Sequence, residues 1–92
     1  MTEELRTKRV ESDERGILHL YDNDDQVAHL TYRRPSSSEL VITYVEVKPE
    51  QRGRGFAKHL VKEMVRVRDE EEAQMEATCG VARGMLVGMG EL

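Results

Sequence analysis

The stretch Val45-Glu46-Val47-Lys48-Pro49-Glu50-Gln51-Arg52-Gly53-Arg54-Gly55-Phe56-Ala57 decides the reading of this chain. It passes from a β-branched apolar run, through a proline and two glycines, into a segment with helical spacing. Upstream, Glu39 to Val47 is the strongest strand candidate in the sequence, and Lys48-Pro49 ends it because proline cannot donate to a ladder. Downstream, Phe56-Ala57, Leu60-Val61 and Met64-Val65 recur about every four residues, with Lys58, His59, Lys62 and Glu63 between them. That spacing predicts an amphipathic helix from Gly55 into the charged run 66–72. Between strand and helix, Gly53 and Gly55 allow a sharp turn and leave amide N–H groups unpaired at the positive end of the helix dipole. Such a nest binds phosphate oxygens, and Arg52, Arg54 and Lys58 beside it suit a pyrophosphate. The competing reading is a connection merely shaped by two glycines. No Gly-Lys-Ser/Thr follows and the third glycine of the dinucleotide fingerprint is absent, which excludes both of those phosphate motifs.

Working outward, residues 1–7 are polar and expected to be mobile, with a first short strand beginning near Lys8. The charged stretch 11–15 ends at Gly16, which reads as a turn into the strand-like run Ile17 to Tyr21. Asp22-Asn23-Asp24-Asp25 reads as a second turn, making a hairpin with the run Gln26 to Arg33. Alternation places Leu18 and Leu20 on one face and Ala28, Leu30 and Tyr32 on the matching face, with His19 and His29 opposite. Arg34-Pro35-Ser36-Ser37-Ser38 is a loop, and a last strand is expected at about Gln74 to Thr78. The tail beyond Cys79-Gly80 is at best a weak helix, because Gly84, Gly88 and Gly90 each cost about 1 kcal/mol against alanine. The element order predicts one α/β domain over residues 1–92: a mixed, mainly antiparallel sheet, a long helix packed after the central strand, and a short C-terminal helix.

Composition bounds the function. The chain of 92 residues carries 18 acidic and 14 basic residues, a net charge of −4, with 38% hydrophobic and 35% charged residues. The core is therefore small and the surface densely charged. Mild acidity and few aromatics speak against a general nucleic-acid binder, which needs clustered positive charge. No run approaches the ~20 apolar residues of a membrane span, and Met1-Thr2-Glu3-Glu4 lacks signal-peptide order, so a soluble cytoplasmic protein is expected. The single cysteine, Cys79, excludes an internal disulfide, and the histidines lack partners at ligand spacing, so no metal site is expected. Met64, Met75, Met85 and Met89 read as flexible core filler, and His59 as a solvated residue.

Arg52-x-x-Gly55-x-Ala57, preceded by Val45-x-Val47 and Pro49, resembles the acetyl-coenzyme A signature of the GNAT N-acetyltransferase superfamily. Thr78-Cys79-Gly80-Val81 after the last strand is similar to the cysteine segment of its small single-domain branch, the YjdJ-like proteins. The resemblance covers roughly residues 8–88. It implies that amides of Gln51, Arg52, Gly53, Arg54, Gly55, Phe56 and Ala57, with the cation Lys58, hold the pyrophosphate of acetyl-coenzyme A. The main chain of Val45 and Val47 would pair with the pantetheine arm as an added strand, which requires the last strand to diverge there. Cys79 would border the thioester as a candidate catalytic group, taking the acetyl group or protonating the leaving thiolate, Glu46 would be the base that deprotonates an ammonium, and Tyr44, on the same strand face, a candidate proton donor. Glu39 ranks as a second candidate base. Where relatives show His-Thr before this glutamate the chain has Tyr44-Val45, and where they often carry an aromatic in the last helix it has Met85.

The expected function is acetyl transfer from acetyl-coenzyme A to an amine, on a small molecule or a protein, by a monomer or weak homodimer. The alternative is a coenzyme A or acyl-coenzyme A binding module without strong catalysis. An Arg-Gly nucleic-acid contact through Arg52 to Gly55 is the weakest reading.

Overall fold

In the computed structural model, which describes residues 4–92, the run from Glu39 to Val47 is a strand and the periodic segment after Gly55 is a helix. The elements are β1 (Leu5–Glu11), β2 (Arg15–Asp22), β3 (Asp25–Arg33), β4 (Glu39–Val47), a 3-10 turn at Pro49–Gln51, α1 (Phe56–Glu71), β5 (Gln74–Ala77) and α2 (Gly80–Gly88). The sheet order is β1-β2-β3-β4-β5, antiparallel throughout except for the parallel pair β4 and β5. A parallel return needs a crossover, and α1 supplies it.

The helices cover one face of the sheet. Leu18, Leu20, Leu30, Tyr32, Leu40 and Ile42 from the strands meet Phe56, Leu60, Val61, Met64 and Val67 of α1, with Ala82 and Leu86 of α2 in the same cluster. Each fully buried Leu or Ile contributes about 1.5–3 kcal/mol relative to exposure, so this layer carries the fold. At the far end of α1 the Arg34 guanidinium bridges Glu11 (3.0 Å) and Glu71 (2.8 Å), tying β1, the end of β3 and the end of α1 together.

The structure differs from the sequence reading at two places. β1 begins at Leu5, ahead of the expected start near Lys8, and residues 1–3 of the segment expected to be mobile lie outside the described residues. Polar Arg6, Thr7 and Lys8 hold strand geometry because β1 pairs along its whole length with β2, from Leu5 opposite Asp22 to Glu11 opposite Gly16. Gly16 is inside β2, not a turn: a Cβ there would lie 2.4 Å from the Tyr32 ring, so glycine makes room for a buried tyrosine. The tail forms the expected short helix, nine residues long in spite of its glycines, because Ala82 and Leu86 are fully buried against the core, and packing outweighs propensity.

Candidate active site: a cleft at a split in the sheet

The site begins with one extra residue. Along β3 and β4 the register runs Arg33 opposite Val41, Tyr32 opposite Ile42, then Thr31 opposite Tyr44, so Thr43 is a β-bulge. The bulge reverses the alternation of β4. Leu40 and Ile42 face the core before it; after it Val45 pairs with buried Leu30 and Val47 with buried Ala28, which leaves Tyr44 and Glu46 exposed. The direction of the peptide groups changes with it. The Ile42 carbonyl points to β5 and accepts from Thr78 (2.9 Å) and Cys79 (3.4 Å), while Lys48 N–H turns to β3 and donates to Val27 (3.0 Å). Counting back from Lys48, the N–H and C=O groups of Val45 and Val47 point away from β3, toward the β5 side.

On that side the partner strand is gone. β5 pairs with β4 only from Glu39 to Ile42, ends at Ala77, and turns into α2. The split opens a cleft of about 430 Å3 lined by Tyr44 to Val47, by Gln51, Arg52, Gly53, Gly55, Phe56, Ala57 and Lys58, and by Val81 and Met85 of α2.

The turn at its mouth is held open by backbone geometry. Gly53 (φ 85°) and Gly55 (φ 81°) both adopt the left-handed conformation, which glycine enters without strain. Gly55 is the N-cap of α1 and makes no side-chain cap, and the first-turn amides of Phe56, Ala57 and Lys58 have no partner within the helix. His59 is the first to bond back, to Gly55 O at 3.0 Å. The loop is braced from outside. The Arg54 guanidinium bonds Gln51 (2.5 Å) and Asp22 at the β2–β3 turn (3.0 Å) and stacks over Phe56, so this side chain pins the loop and does not line the cleft. Arg52 Nε donates to the Val47 carbonyl at 3.4 Å.

The expected site residues thus fall into groups. Val45, Val47 and the loop from Gln51 to Lys58 come together around the cleft, except the Arg54 side chain; Phe56 is buried and offers its backbone. Tyr44 and Glu46 line the same cleft, and the Tyr44 hydroxyl donates to Glu46 Oε2 at 2.9 Å. That bond, with the carboxylate charge behind it, raises the Tyr44 pKa above the ordinary tyrosine value. Cys79 stands apart: half-buried at the junction of β5 and α2, it is the N-cap of α2, its carbonyl accepts from Arg83 N–H, and it does not line the cleft. Glu39 lies at the opposite end of β4, engaged by Ser36 at 2.9 Å. Among the described residues no group of three or more His, Cys, Asp or Glu could hold a metal ion. Among the described residues no helix is long and apolar enough to cross a membrane.

Sequence reasoning missed the bulge, the bracing Asp22, and Val81 and Met85 as cleft walls. A signal for the bulge was present, since the apolar positions of β4 slip from 40 and 42 to 45 and 47, an odd interval in a period of two.

The architecture is a two-layer α/β domain whose sheet splits beside a glycine turn. The model of the GCN5-related N-acetyl-transferase family matches residues 17–88, and the chain belongs to that family. A GCN5-like N-acetyltransferase of Staphylococcus aureus is 26% identical, with TM-score 0.63, over 89% of this chain and 79% of that one. The ribosomal-protein-alanine N-acetyltransferase of Brucella melitensis shares the fold at TM-score 0.68 and 13% identity, over 86% of this chain and 65% of that one. An aminoglycoside N-acetyltransferase in complex with coenzyme A superposes with TM-score 0.66 at 15% identity, over 87% of this chain and 61% of that one. This chain therefore spans less than two thirds of the length of those two enzymes. No curated protein matches it.

Proposed function

We propose that the protein transfers the acetyl group of acetyl-coenzyme A to an amine, as a cytoplasmic monomer or weak homodimer of the small single-domain, YjdJ-like branch. The observation that carries the reading is the bulge at Thr43, which turns the peptide groups of Val45 and Val47 into the gap left by β5. An extended ligand can add there as a missing strand, with backbone bonds for affinity. Its anionic end then falls on the amides around Gly53 and Gly55, and the cleft volume lies within the range of small-molecule sites.

The chemistry follows from what surrounds the thioester end. The amine nitrogen attacks the thioester carbonyl carbon, and Glu46 accepts the proton that the ammonium must lose. An amide N–H of β4 facing the gap stabilises the oxyanion. As the new C–N bond forms and the C–S bond breaks, the departing thiolate takes the proton of Tyr44. Glu46 returns its proton to Tyr44 along the 2.9 Å hydrogen bond and then takes the second proton, left on the new amide nitrogen, and releases it to solvent, which closes the cycle without a covalent enzyme intermediate. Tyr44 suits this role better than Cys79 because it lines the cleft and its raised pKa keeps it protonated.

The test is thiol release from acetyl-coenzyme A over a panel of amines, with coenzyme A affinity measured in parallel. Turnover abolished by Glu46→Gln with coenzyme A affinity intact supports the reading. Tight coenzyme A binding without turnover on any amine replaces it with the binding module.

A further inference from the structure

The second face of the sheet carries no helix, and its charge is opposite to that of the chain. Register places Arg6 and Lys8 of β1, Arg15 of β2 and Arg33 of β3 on this face, all exposed. Among the described residues none of these four forms an ion pair. Arg9, Arg34, Arg54, Arg66, Arg68 and Arg83, in contrast, are each bridged to a carboxylate. The strand carboxylates of the face are Glu39 and Glu46 at the two ends of β4 and Glu76 of β5, the last paired with Arg83 at 2.7 Å. Strands β1 to β3 thus gather four cations without ion pairs on the open surface of an acidic chain.

Their placement works against the fold. Arg15 stands directly opposite Arg33, and one cross-strand row runs Lys8, His19, His29, Glu46 from β1 to β4. Like charges directly opposite destabilise a sheet, and an anionic group lying across this pattern would relieve it. Burial first, then His29 and Lys8, lower the His19 pKa. The rings of Tyr21, His19, His29 and Tyr44 form a continuous line over β2, β3 and β4, with centroids 6.5, 6.4 and 6.1 Å apart. The row ends at Glu46, which lines both the cleft and a small pocket shared with His29 on this face.

We propose that this open face docks the acceptor, and that the acceptor is an acidic polypeptide segment whose free amine is delivered to Glu46. The inference rests on the acetyltransferase reading for the amine and on charge complementarity for the rest. Arg6 and Arg15 lie at opposite ends of the sheet, about 20 Å apart at ~3.3 Å per residue, a span that an extended peptide covers and a small amine does not. Polycationic amines are disfavoured by the same field. A nucleic acid is disfavoured because Glu46 repels phosphate at the end of the row, and because the ring planes tilt by 48° to 51° and offer no shared stacking surface.

The experiment measures binding and transfer separately on the full chain. The probes are a labelled peptide with a free amino terminus followed by Asp and Glu residues, a matched Lys/Arg peptide, spermidine, and a single-stranded oligonucleotide. The acidic peptide is expected to bind at least tenfold more tightly than the basic one, with the difference collapsing between about 50 and about 500 mM salt. Lys8→Glu combined with Arg33→Glu is expected to weaken the acidic peptide tenfold or more while coenzyme A affinity stays at the wild-type value, which also shows that the variant is folded. Equal affinity for both peptides, no effect of charge reversal, or tighter binding of the oligonucleotide overturns the proposal. Acidic-peptide binding without acetyl transfer upholds the surface and overturns the acetyltransferase reading. Transfer to spermidine with no acidic-peptide binding does the reverse.

Discussion

Replacing Gly55 by alanine isolates the contribution of the turn at the mouth of the cleft. Gly55 has φ 81° and ψ 16°, and a Cβ built on it meets nothing within 4 Å. The added methyl therefore clashes with no neighbour, and the cost is the local strain of an L residue held left-handed, about 1–2 kcal/mol. In the free protein the alanine variant relieves that strain by moving its φ to negative values, which rotates the amides at the start of α1 out of convergence. Binding must restore them, so coenzyme A affinity is expected to fall about 5- to 30-fold at 1.4 kcal/mol per decade. Pantetheine, which has no pyrophosphate, should bind the variant and the wild type alike. A D-alanine at the same position prefers positive φ and should restore affinity. Titration calorimetry on wild type, Gly55→Ala and a ligated D-alanine protein gives all three values. Unchanged coenzyme A affinity in Gly55→Ala with an intact circular dichroism spectrum, or a D-alanine protein no better than the L form, would refute the argument.

Glu46→Gln is expected to lower kcat/KM about 100-fold or more with coenzyme A affinity within twofold, checked by thiol-release kinetics beside calorimetry. Tyr44→Phe should abolish the alkaline limb of the rate profile. In the wild type that limb lies above the ordinary tyrosine value of about 10, because the donor must be protonated and its pKa is raised by Glu46. Cys79→Ala should change rate and coenzyme A affinity less than threefold or so, since the residue is outside the cleft; an acetyl group on Cys79 in intact-mass spectra would reverse that assignment. Hydrogen bonds from Arg34 hold Glu71 below its ordinary pKa of 4.5, so this carboxylate stabilises the fold fully above that value and loses its contribution as pH falls through the lowered pKa. Glu71→Gln should therefore cost on the order of 1 kcal/mol at neutral pH and flatten the acid limb of stability in urea melts; an unchanged acid limb would place the acid sensitivity elsewhere.

What the sequence disclosed follows from where the physics is local. The strand from Glu39 to Val47, the glycine turn and the helix after Gly55 are each specified by their own residues, through alternation, backbone freedom and the stripe of Leu60, Val61 and Met64. The faces of Leu18, Leu20 and Leu30 were legible for the same reason. The first half of β1 was not, because Arg6 and Thr7 become a strand only through the neighbour that pairs with them. α2 was legible only as a short, weak helix, because its glycines oppose a helix until Ala82 and Leu86 find the core. Gly16 carried a false local signal: its missing side chain serves Tyr32, sixteen residues away in sequence and opposite in register. Arg54 looked like a phosphate ligand because Asp22, which engages it, lies on a distant turn.

The bulge at Thr43 joins these strands of reasoning. With a strict period of two, Tyr44 and Glu46 would follow Leu40 and Ile42 into the core, where a carboxylate has no partner and would be driven to its neutral form. One extra residue places Val45 and Val47 inward against Leu30 and Ala28, so the apolar layer continues unbroken while Tyr44 and Glu46 turn to the open face. The same residue rotates the peptide groups of Val45 and Val47 toward the missing partner strand. Burial of the valines, exposure of the acid and orientation of the backbone donors are therefore one event in the chain. Pairing without the bulge would invert all three together: Glu46 would point at α1, and the peptide groups of Val45 and Val47 would turn to β3. A substitution that regularises the pairing at Thr43 should consequently abolish coenzyme A binding and acetyl transfer at once, where changes at Glu46 or Tyr44 affect transfer alone.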